Sequence, residues 1–344
     1  AKWENKMGYY SYKKILIVGG TGTIGKGLVK ELLKQKPKVI RILSRDEYKQ
    51  FIMEREFCYN KVFRYLIGAI RDYERVERAM ADVDVVFNLA AMKHVPSCEY
   101  NPSEAIKTNV QGMQNIIKAA INNNVDSVVF TSSDKAINPT NTYGATKLLA
   151  EKLVQAANFS KGSAKTRFVT VRFGNVMGSR GSVIPLFKNQ IKEDKNITVT
   201  DPDMTRFMMT LSQAVKLIMT SAAIAYGGEA FILKMPIIKL KDLAEVIVEE
   251  TCKKFNISSE DINIKSIGLR AGERKFEELM TKEESEFAYD IGNMYAVVPP
   301  VYFSRMKMYY CNEKKAKIGS YNSCDMEVIS KEHTRQMLLD EKLV

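Results

Sequence analysis

The sequence predicts an α/β protein, a doubly wound and mostly parallel sheet followed by a smaller mixed C-terminal domain. Three observations predict it. Short β-branched runs alternate with longer amphipathic stretches as far as Arg172, a glycine-rich turn joins the first run to the first amphipathic stretch, and beyond Arg172 the alternation gives way to irregular segments. Alternation of this kind is the pattern of βα units on a parallel sheet.

Taken in order, KKILIVGG, KVIRIL, KVFRYLIG, VDVVFNLA, VDSVVFTSS and TRFVTVRF read as six successive strands. Each is mostly apolar on both faces, as a strand covered by helices on either side has to be. Between them, residues 24–35, 46–57, 71–80, 102–122 and 143–158 carry apolar residues at helical spacing. After Arg172 the segments SRGSVIPLF, TVTDPDMTRFMMT and VVPPVYF are irregular, with helical patterns at 211–224 and 240–254 among them. The expected division is therefore residues 1–173 and 174–344, with parts of 205–254 packing back on the first domain. No internal repeat or low-complexity segment is visible.

A chain of 344 residues is long enough for a main domain with a smaller companion. Its 45% hydrophobic and 27% charged content excludes a largely disordered protein. The five cysteines (Cys58, Cys98, Cys252, Cys311, Cys324) are scattered without a C-x-x-C, and His94 and His333 are the only histidines. Neither a disulfide framework nor a metal site is expected. The net charge of +12 is carried by dispersed Lys and Arg, with no basic block and no aromatic-and-basic stripe. That distribution suits small anionic ligands such as phosphates and argues against nucleic acid. No apolar run reaches the roughly 18 residues of a membrane span, and the opening AKWENKMGYYSYKK lacks the apolar stretch of a signal peptide, so a cytoplasmic protein without a membrane partner is expected.

The turn GGTGTIGKGL places Gly19, Gly22 and Gly25 between a strand and a helix. The first glycine allows a tight turn, the second lets the backbone approach a pyrophosphate, and the third lets helix and strand pack closely, the Rossmann arrangement for a dinucleotide. Thr21, Thr23 and Ile24 fill the same turn, where helix-terminal N–H groups face phosphate. An acidic residue commonly ends the second strand of NAD-binding folds and holds the ribose hydroxyls. Here Ser44 and Arg45 stand at that place with Lys49 a turn later, which suits a 2′-phosphate, so NADP is expected over NAD. Asp46 either meets a ribose hydroxyl or caps the next helix.

Y-x-x-x-K occurs four times, at Tyr9/Lys13, Tyr10/Lys14, Tyr143/Lys147 and Tyr310/Lys314. Only the third lies just beyond a buried strand of the parallel sheet, where such sheets bind ligands, and opens a helix that sets positions i and i+4 on one face. On that face the Lys147 ammonium lowers the pKa of the Tyr143 phenol and makes it a base for a hydroxyl proton during hydride transfer. A solvated helix pair accounts for the other three copies.

With TGTIG, NLAA and YGATK in place, the sequence resembles the extended short-chain dehydrogenase/reductases. Within them it is most similar to the UDP-N-acetylglucosamine 4,6-dehydratases that start pseudaminic acid and related sugar pathways. SRDEYKQ, AAMKHVPSCEYNP, KTNVQGMQN, SSDKAINPTNTYGATK, RFGNVMGSRGSVIPLF, TDPDMTRFMMT and GLRAGERKFEEL look like that family's blocks, in order, over residues 14–330. The resemblance implies that Leu89, Ala90 and Ala91 line the cofactor site, with Lys93 at the nicotinamide side or at the substrate. It assigns Asp134 as acid and Lys135 as base, with Ser133 polarising the sugar C4 oxygen beside Tyr143. Removing water across C5 and C6 of a 4-keto sugar needs an acid for the C6 hydroxyl and a base for the C5 proton, and an adjacent Asp-Lys pair at a strand end supplies both. Lys135 must then be partly neutral, which burial or the neighbouring Lys93 and Lys147 would arrange. Asn175, Ser182, Val183, Thr200, Arg206, Arg270 and Glu273 match positions expected to line the nucleotide-sugar site, the arginines facing the diphosphate. A homo-oligomer, dimer or hexamer, is implied as well.

Two departures stand out. Gly68-Ala69-Ile70 lacks the aspartate that usually follows the glycine to hold the adenine, and Ser132-Ser133 replaces Ser-Thr, which keeps the hydroxyl. The expected reaction is NADP-dependent dehydration of UDP-N-acetylglucosamine to a UDP-4-keto-6-deoxy-N-acetylhexosamine, a step toward surface-glycan or flagellin sugars. The alternatives are a nucleotide-sugar 4-epimerase, which needs Ser/Thr, Tyr and Lys without the acid-base pair, and a non-catalytic NADP-binding regulator.

Overall fold

In the computed structural model, which describes residues 8–179, 181–269 and 272–344, the predicted alternation appears strand for strand. The first half runs β1 (Lys14–Val18), α1 (Thr23–Leu33), β2 (Val39–Ser44), α2 (Glu47–Glu56), β3 (Phe63–Ile67), α3 (Tyr73–Met80) and β4 (Val85–Asn88). Two short helices follow, α4 (Val95–Tyr100) and α5 (Pro102–Ala105), then α6 (Gly112–Asn122), β5 (Ser127–Ser133), α7 (Thr142–Ser160) and β6 (Arg167–Phe173). The second half holds β7 (Asn175–Val176), α8 (Val183–Asp194), β8 (Asn196–Val199), β9 (Thr205–Met209), α9 (Leu211–Ile224), β10 (Ala230–Leu233), β11 (Ile237–Lys239) and α10 (Leu240–Phe255). It closes with β12 (Asn263–Ser266), β13 (Glu278–Met280), α11 (Lys282–Ser285), β14 (Ala288–Asp290), β15 (Met294–Val297), α12 (Phe303–Met306), β16 (Lys314–Lys315), β17 (Tyr321–Asn322) and α13 (Lys331–Asp340).

The main sheet has the order β16-β14-β15-β10-β6-β5-β4-β1-β2-β3. All pairings from β3 through β10 are parallel, and β15, β14 and β16 complete the sheet antiparallel. The strand order reverses between β1 and β4, which opens a crevice at their carboxyl ends. The two faces of the sheet are covered separately. Leu28, Val29 and Leu32 of α1 pack with Val215 and Ile218 of α9 in one cluster, and Val76, Met113, Ile116 and Val154 of α3, α6 and α7 in the other. Each such fully enclosed aliphatic side chain contributes roughly 1.5–3 kcal/mol. The sheet therefore crosses residue 174: α9 lies against α1, and β10 adds to β6.

A smaller body gathers α8, α10 and α13 around Ile184, Phe187, Ile191, Leu243, Ile247 and Leu338, with small sheets β11-β9-β7 and β12-β8 beside them. Arg335 and Lys331 of α13 pair with Glu245, Glu249 and Glu250 of α10. A buried ionic knot joins this half to the main sheet: Arg172 of β6 meets Glu151 of α7 at 2.8 Å, Glu284 of α11 at 2.7 Å and the Leu279 carbonyl at 3.0 Å.

The single helix expected over 102–122 is broken. Residues 106–111 form a π-turn, which buries the polar Thr108 and Asn109. Asn109 then clamps the loop after β4, accepting from Met92 N and donating to Met92 O, both at 2.9 Å, so the irregularity serves the crevice rather than the helix.

Candidate active site

The turn after β1 is glycine-dependent in the way the sequence suggests. Gly19 has φ +78°, and a Cβ there would stand 2.8 Å from Ala90 N, so this turn and the NLAA loop touch backbone to backbone. A Cβ at Gly25 would run into the Gly20 carbonyl oxygen. At Gly22, the residue that opens α1, a Cβ would meet only the Gly19 oxygen at 3.7 Å. Helix α1 starts with no side-chain cap and no acid in its first turn, whereas Asp46, Asp72, Asn141 and Thr210 cap α2, α3, α7 and α9. No capping side chain and no acidic residue stands at this helix start to compete with a ligand anion, which fits a dinucleotide pyrophosphate.

From this turn a cleft of about 1430 Å³ runs across the carboxyl ends of the strands. It is lined by Gly19, Thr21, Gly22, Thr23, Ile24, Gly25, Ser44, Arg45, Asp46, Lys49, Leu89, Ala90, Ala91 and Lys93 at one end, and by Ser133, Asp134, Lys135, Tyr143, Lys147, Asn175 and Ser182 at the other. Asp46 caps α2 through Lys49 N at 2.9 Å, and its other oxygen pairs with Lys49 Nζ at 2.7 Å. Ser44 Oγ sits 3.1 Å from Thr21 Oγ1. Ser132 Oγ is buried at the cleft with no hydrogen-bond partner among the described residues.

Four residues expected at the substrate are not among those lining the cleft: Val183, Thr200, Arg206 and Glu273. Arg206 is directed inward, donating to the carbonyls of Thr205 (2.8 Å), Arg274 (2.9 Å) and Lys275 (3.1 Å), with Nε 3.4 Å from Glu277. Thr200 Oγ1 contacts Met204 Sδ at 3.1 Å. The expectation for Arg270 falls outside the described residues.

The titratable groups of the cleft gather where β5 ends. Ser133 Oγ donates to Asp134 Oδ1 at 2.8 Å and accepts from Lys135 N at 3.2 Å, closing a single 3₁₀ turn. Helix α7 abuts this turn so closely that a Cβ at Gly144 would collide with the Lys135 carbonyl. That contact and the Asn141 cap fix where Tyr143 stands. Lys147, one turn on, donates from Nζ to the Thr131 carbonyl at 2.8 Å and lies 4.7 Å over the Phe130 ring. Lys135 Nζ is 3.0 Å from Asp134 Oδ2.

Protonation differs from the expectation in two places. Burial pushes the Tyr143 phenol up to about 12, and the charge that draws it back is that of Lys135, with a hydrogen bond to Ser133 helping. Lys147 is itself brought down to about 8 by burial; its Nζ is committed to Thr131, 6.0 Å from the Tyr143 ring centre. Burial works against the Lys135 ammonium too, but the carboxylates of Asp134 and then Glu277 outweigh it and hold the lysine above its ordinary range. The ion pair with Asp134 favours its charged form over the neutral amine.

Glu277 was not legible as a site residue. It lies in GERKFEEL, a charged run that reads as a solvated loop, yet it is 6% exposed, and Asn175 Nδ2 donates to both its oxygens at 2.8 Å. Asn109 was likewise hidden by the helical reading of its segment.

Among the described residues no group of His, Cys, Asp and Glu is placed to hold a metal ion, and no helix is long and apolar enough to cross a membrane. Comparison with known proteins finds relatives of both dehydratase and epimerase type. The family model described as polysaccharide biosynthesis protein matches residues 15–299. The chain is 46% identical over 296 residues to the UDP-N-acetylglucosamine 4,6-dehydratase (inverting) of Campylobacter jejuni, covering 86% of this chain and 85% of that protein. It is 40% identical over 334 residues to the UDP-glucose 4-epimerase of Rickettsia felis, with 95% and 96% covered. Among solved structures, Pen from Bacillus thuringiensis superposes with a TM-score of 0.92 at 53% identity, covering 98% of this chain and 99% of that one.

Proposed function

The chain belongs to the polysaccharide biosynthesis protein family, and from that premise we propose that it is an NADP-dependent hydro-lyase converting UDP-N-acetylglucosamine to a UDP-4-keto-6-deoxy-N-acetylhexosamine for surface-glycan or flagellin sugars of the pseudaminic acid type. The observation that carries this reading is the Asp134–Lys135 contact at 3.0 Å on the cleft floor. Moving one proton across it, from Nζ to the carboxylate, produces both groups an elimination requires: a neutral amine to take the C5 proton and a carboxylic acid to protonate the departing C6 hydroxyl. The nicotinamide, when bound, supplies the hydride acceptor for C4 oxidation and the hydride donor for C6. Tyr143, in the phenolate form that the Lys135 charge and the Ser133 hydrogen bond favour, takes the C4 hydroxyl proton, and Ser133 donates toward the C4 oxygen that becomes the ketone. Ketone formation acidifies C5–H, so oxidation has to precede elimination. Lys147 orders the Tyr143 side of the cleft from its anchor on Thr131.

NADP rather than NAD is supported by Asp46, whose carboxylate is engaged by its helix cap and by Lys49, beside Arg45 at the cleft. A diphosphate-binding role for Arg206 draws no support from its inward contacts.

The named relatives also include a 4-epimerase, so epimerisation at C4 is the competing reading. An epimerase needs Ser133, Tyr143 and Lys147 but no acid for C6. Asp134→Asn separates the two readings. Under the dehydratase reading, formation of the alkali-absorbing 4-keto product falls by about 10²–10⁴-fold with the cofactor still bound. Undiminished turnover to a C4 epimer contradicts it.

A further inference from the structure

Behind the cleft floor, out of the lining itself, lies a second carboxylate whose surroundings are more constrained than charge balance requires. Glu277 Oε1 lies 3.8 Å from Lys135 Nζ. Its other contacts are all with donors: Asn175 Nδ2 at 2.8 Å to each oxygen, Phe207 N at 3.0 Å to Oε2, and Arg206 Nε at 3.4 Å to Oε1. Its own N–H is fixed to Ser323 Oγ at 2.9 Å. Arg206 already supplies this buried carboxylate with a cation, and Asp134 already supplies Lys135 with an anion. The approach of Glu277 to Lys135 is therefore an additional arrangement, and donors from β7 and β9 prevent the carboxylate from swinging away.

We propose that Glu277 is a positioning residue of the elimination, holding Lys135 Nζ at the cleft floor and stabilising the positive charge that Lys135 gains when it takes the C5 proton. Glu277 is not among the cleft-lining residues, so it acts through Lys135 rather than on the sugar. The step balances within the groups named: the C5–H bond breaks, its proton forms the fourth bond at Nζ, and its electron pair enters the enolate of the 4-ketone. A carboxylate fixed beforehand needs no reorganisation to meet that charge. The inference rests on the dehydratase reading.

The charged and titratable groups facing Lys135 are Asp134 on its own turn, Tyr143 from α7 and Glu277; those facing Glu277 are Asp134, Lys135 and Arg206 from β9. Burial and then Asp134 push the Glu277 carboxyl above its usual range, while Arg206, Lys135 and the Asn175 hydrogen bond oppose them. Glu277 in turn favours the charged form of Lys135. Removing its charge lets the ammonium release its proton at lower pH but leaves a weaker base.

The test is the pH profile of 4-keto-6-deoxy product formation from UDP-N-acetylglucosamine by the wild type, Glu277→Gln and Glu277→Asp, each carrying its cofactor. In Glu277→Gln the acid limb of kcat moves to lower pH and the plateau falls about tenfold with KM little changed. Glu277→Asp, which keeps the charge, returns the limb toward the wild-type position. An unmoved limb in Glu277→Gln, or failure of both variants to fold and retain cofactor, makes Glu277 merely structural and overturns the inference alone. Absence of dehydrated product with the wild type overturns the dehydratase reading and takes the inference with it.

Discussion

Between about pH 8 and the ordinary lysine range, the folded chain has released the Lys147 proton while the unfolded chain still holds it. Because the unfolded state binds more protons in that window, stability rises with pH there; below about pH 8 both states are protonated and the contribution is flat. Relative to Lys147→Met, wild type should therefore gain unfolding free energy as pH rises through the window, as read by urea denaturation at a series of pH values. At the other end of the cleft, Arg45 and Lys49 line the cofactor end. Replacing both by Ala should weaken NADP binding about 10- to 100-fold and NAD binding little, measured by titration of each cofactor. Ser133, Asp134, Lys135, Tyr143 and Lys147 could be singled out together as candidates because they lie within 15 residues of one another on a single strand-turn-helix passage, and the fold brings them to one cleft. Glu277 could not, since only tertiary folding buries one acid out of a run of charges.

At the scale of elements, the six parallel strands were legible because each is a continuous apolar run closed by a turn. Two things were not. β10 is only four residues, AFIL, in a stretch without alternation, and its place beside β6 is set by packing against α9 and β15. The π-turn at 106–111 leaves no mark on helical periodicity, since the extra residue is absorbed by burying Thr108 and Asn109. The Arg172 knot ties three elements together: β6, the α7 helix that carries Tyr143 and Lys147, and α11. Arg172→Met removes the guanidinium that both Glu151 and Glu284 face, which should cost about 3–5 kcal/mol in equilibrium unfolding. A loss below about 1 kcal/mol would show that the knot relaxes by admitting water.

For the whole molecule, a single sheet collects strands from both halves of the chain, so the cleft has walls from both: the glycine turn and β5 end on one side, Gly174, Asn175, Val176 and Ser182 on the other. Sequence patterning revealed the fold class because it is written locally in each βα unit. The sharing of the sheet, and the turning inward of Arg206, depend on contacts between segments far apart in the chain. The central claim is that this cleft oxidises, dehydrates and re-reduces one sugar without net consumption of cofactor. It is tested most directly by NMR of the product formed from UDP-N-acetylglucosamine in heavy water. The account predicts a 4-keto sugar with a C6 methyl group, deuterium incorporated at C5, and no accumulation of reduced cofactor. A product that keeps its C6 hydroxyl, with only C4 inverted, would contradict it.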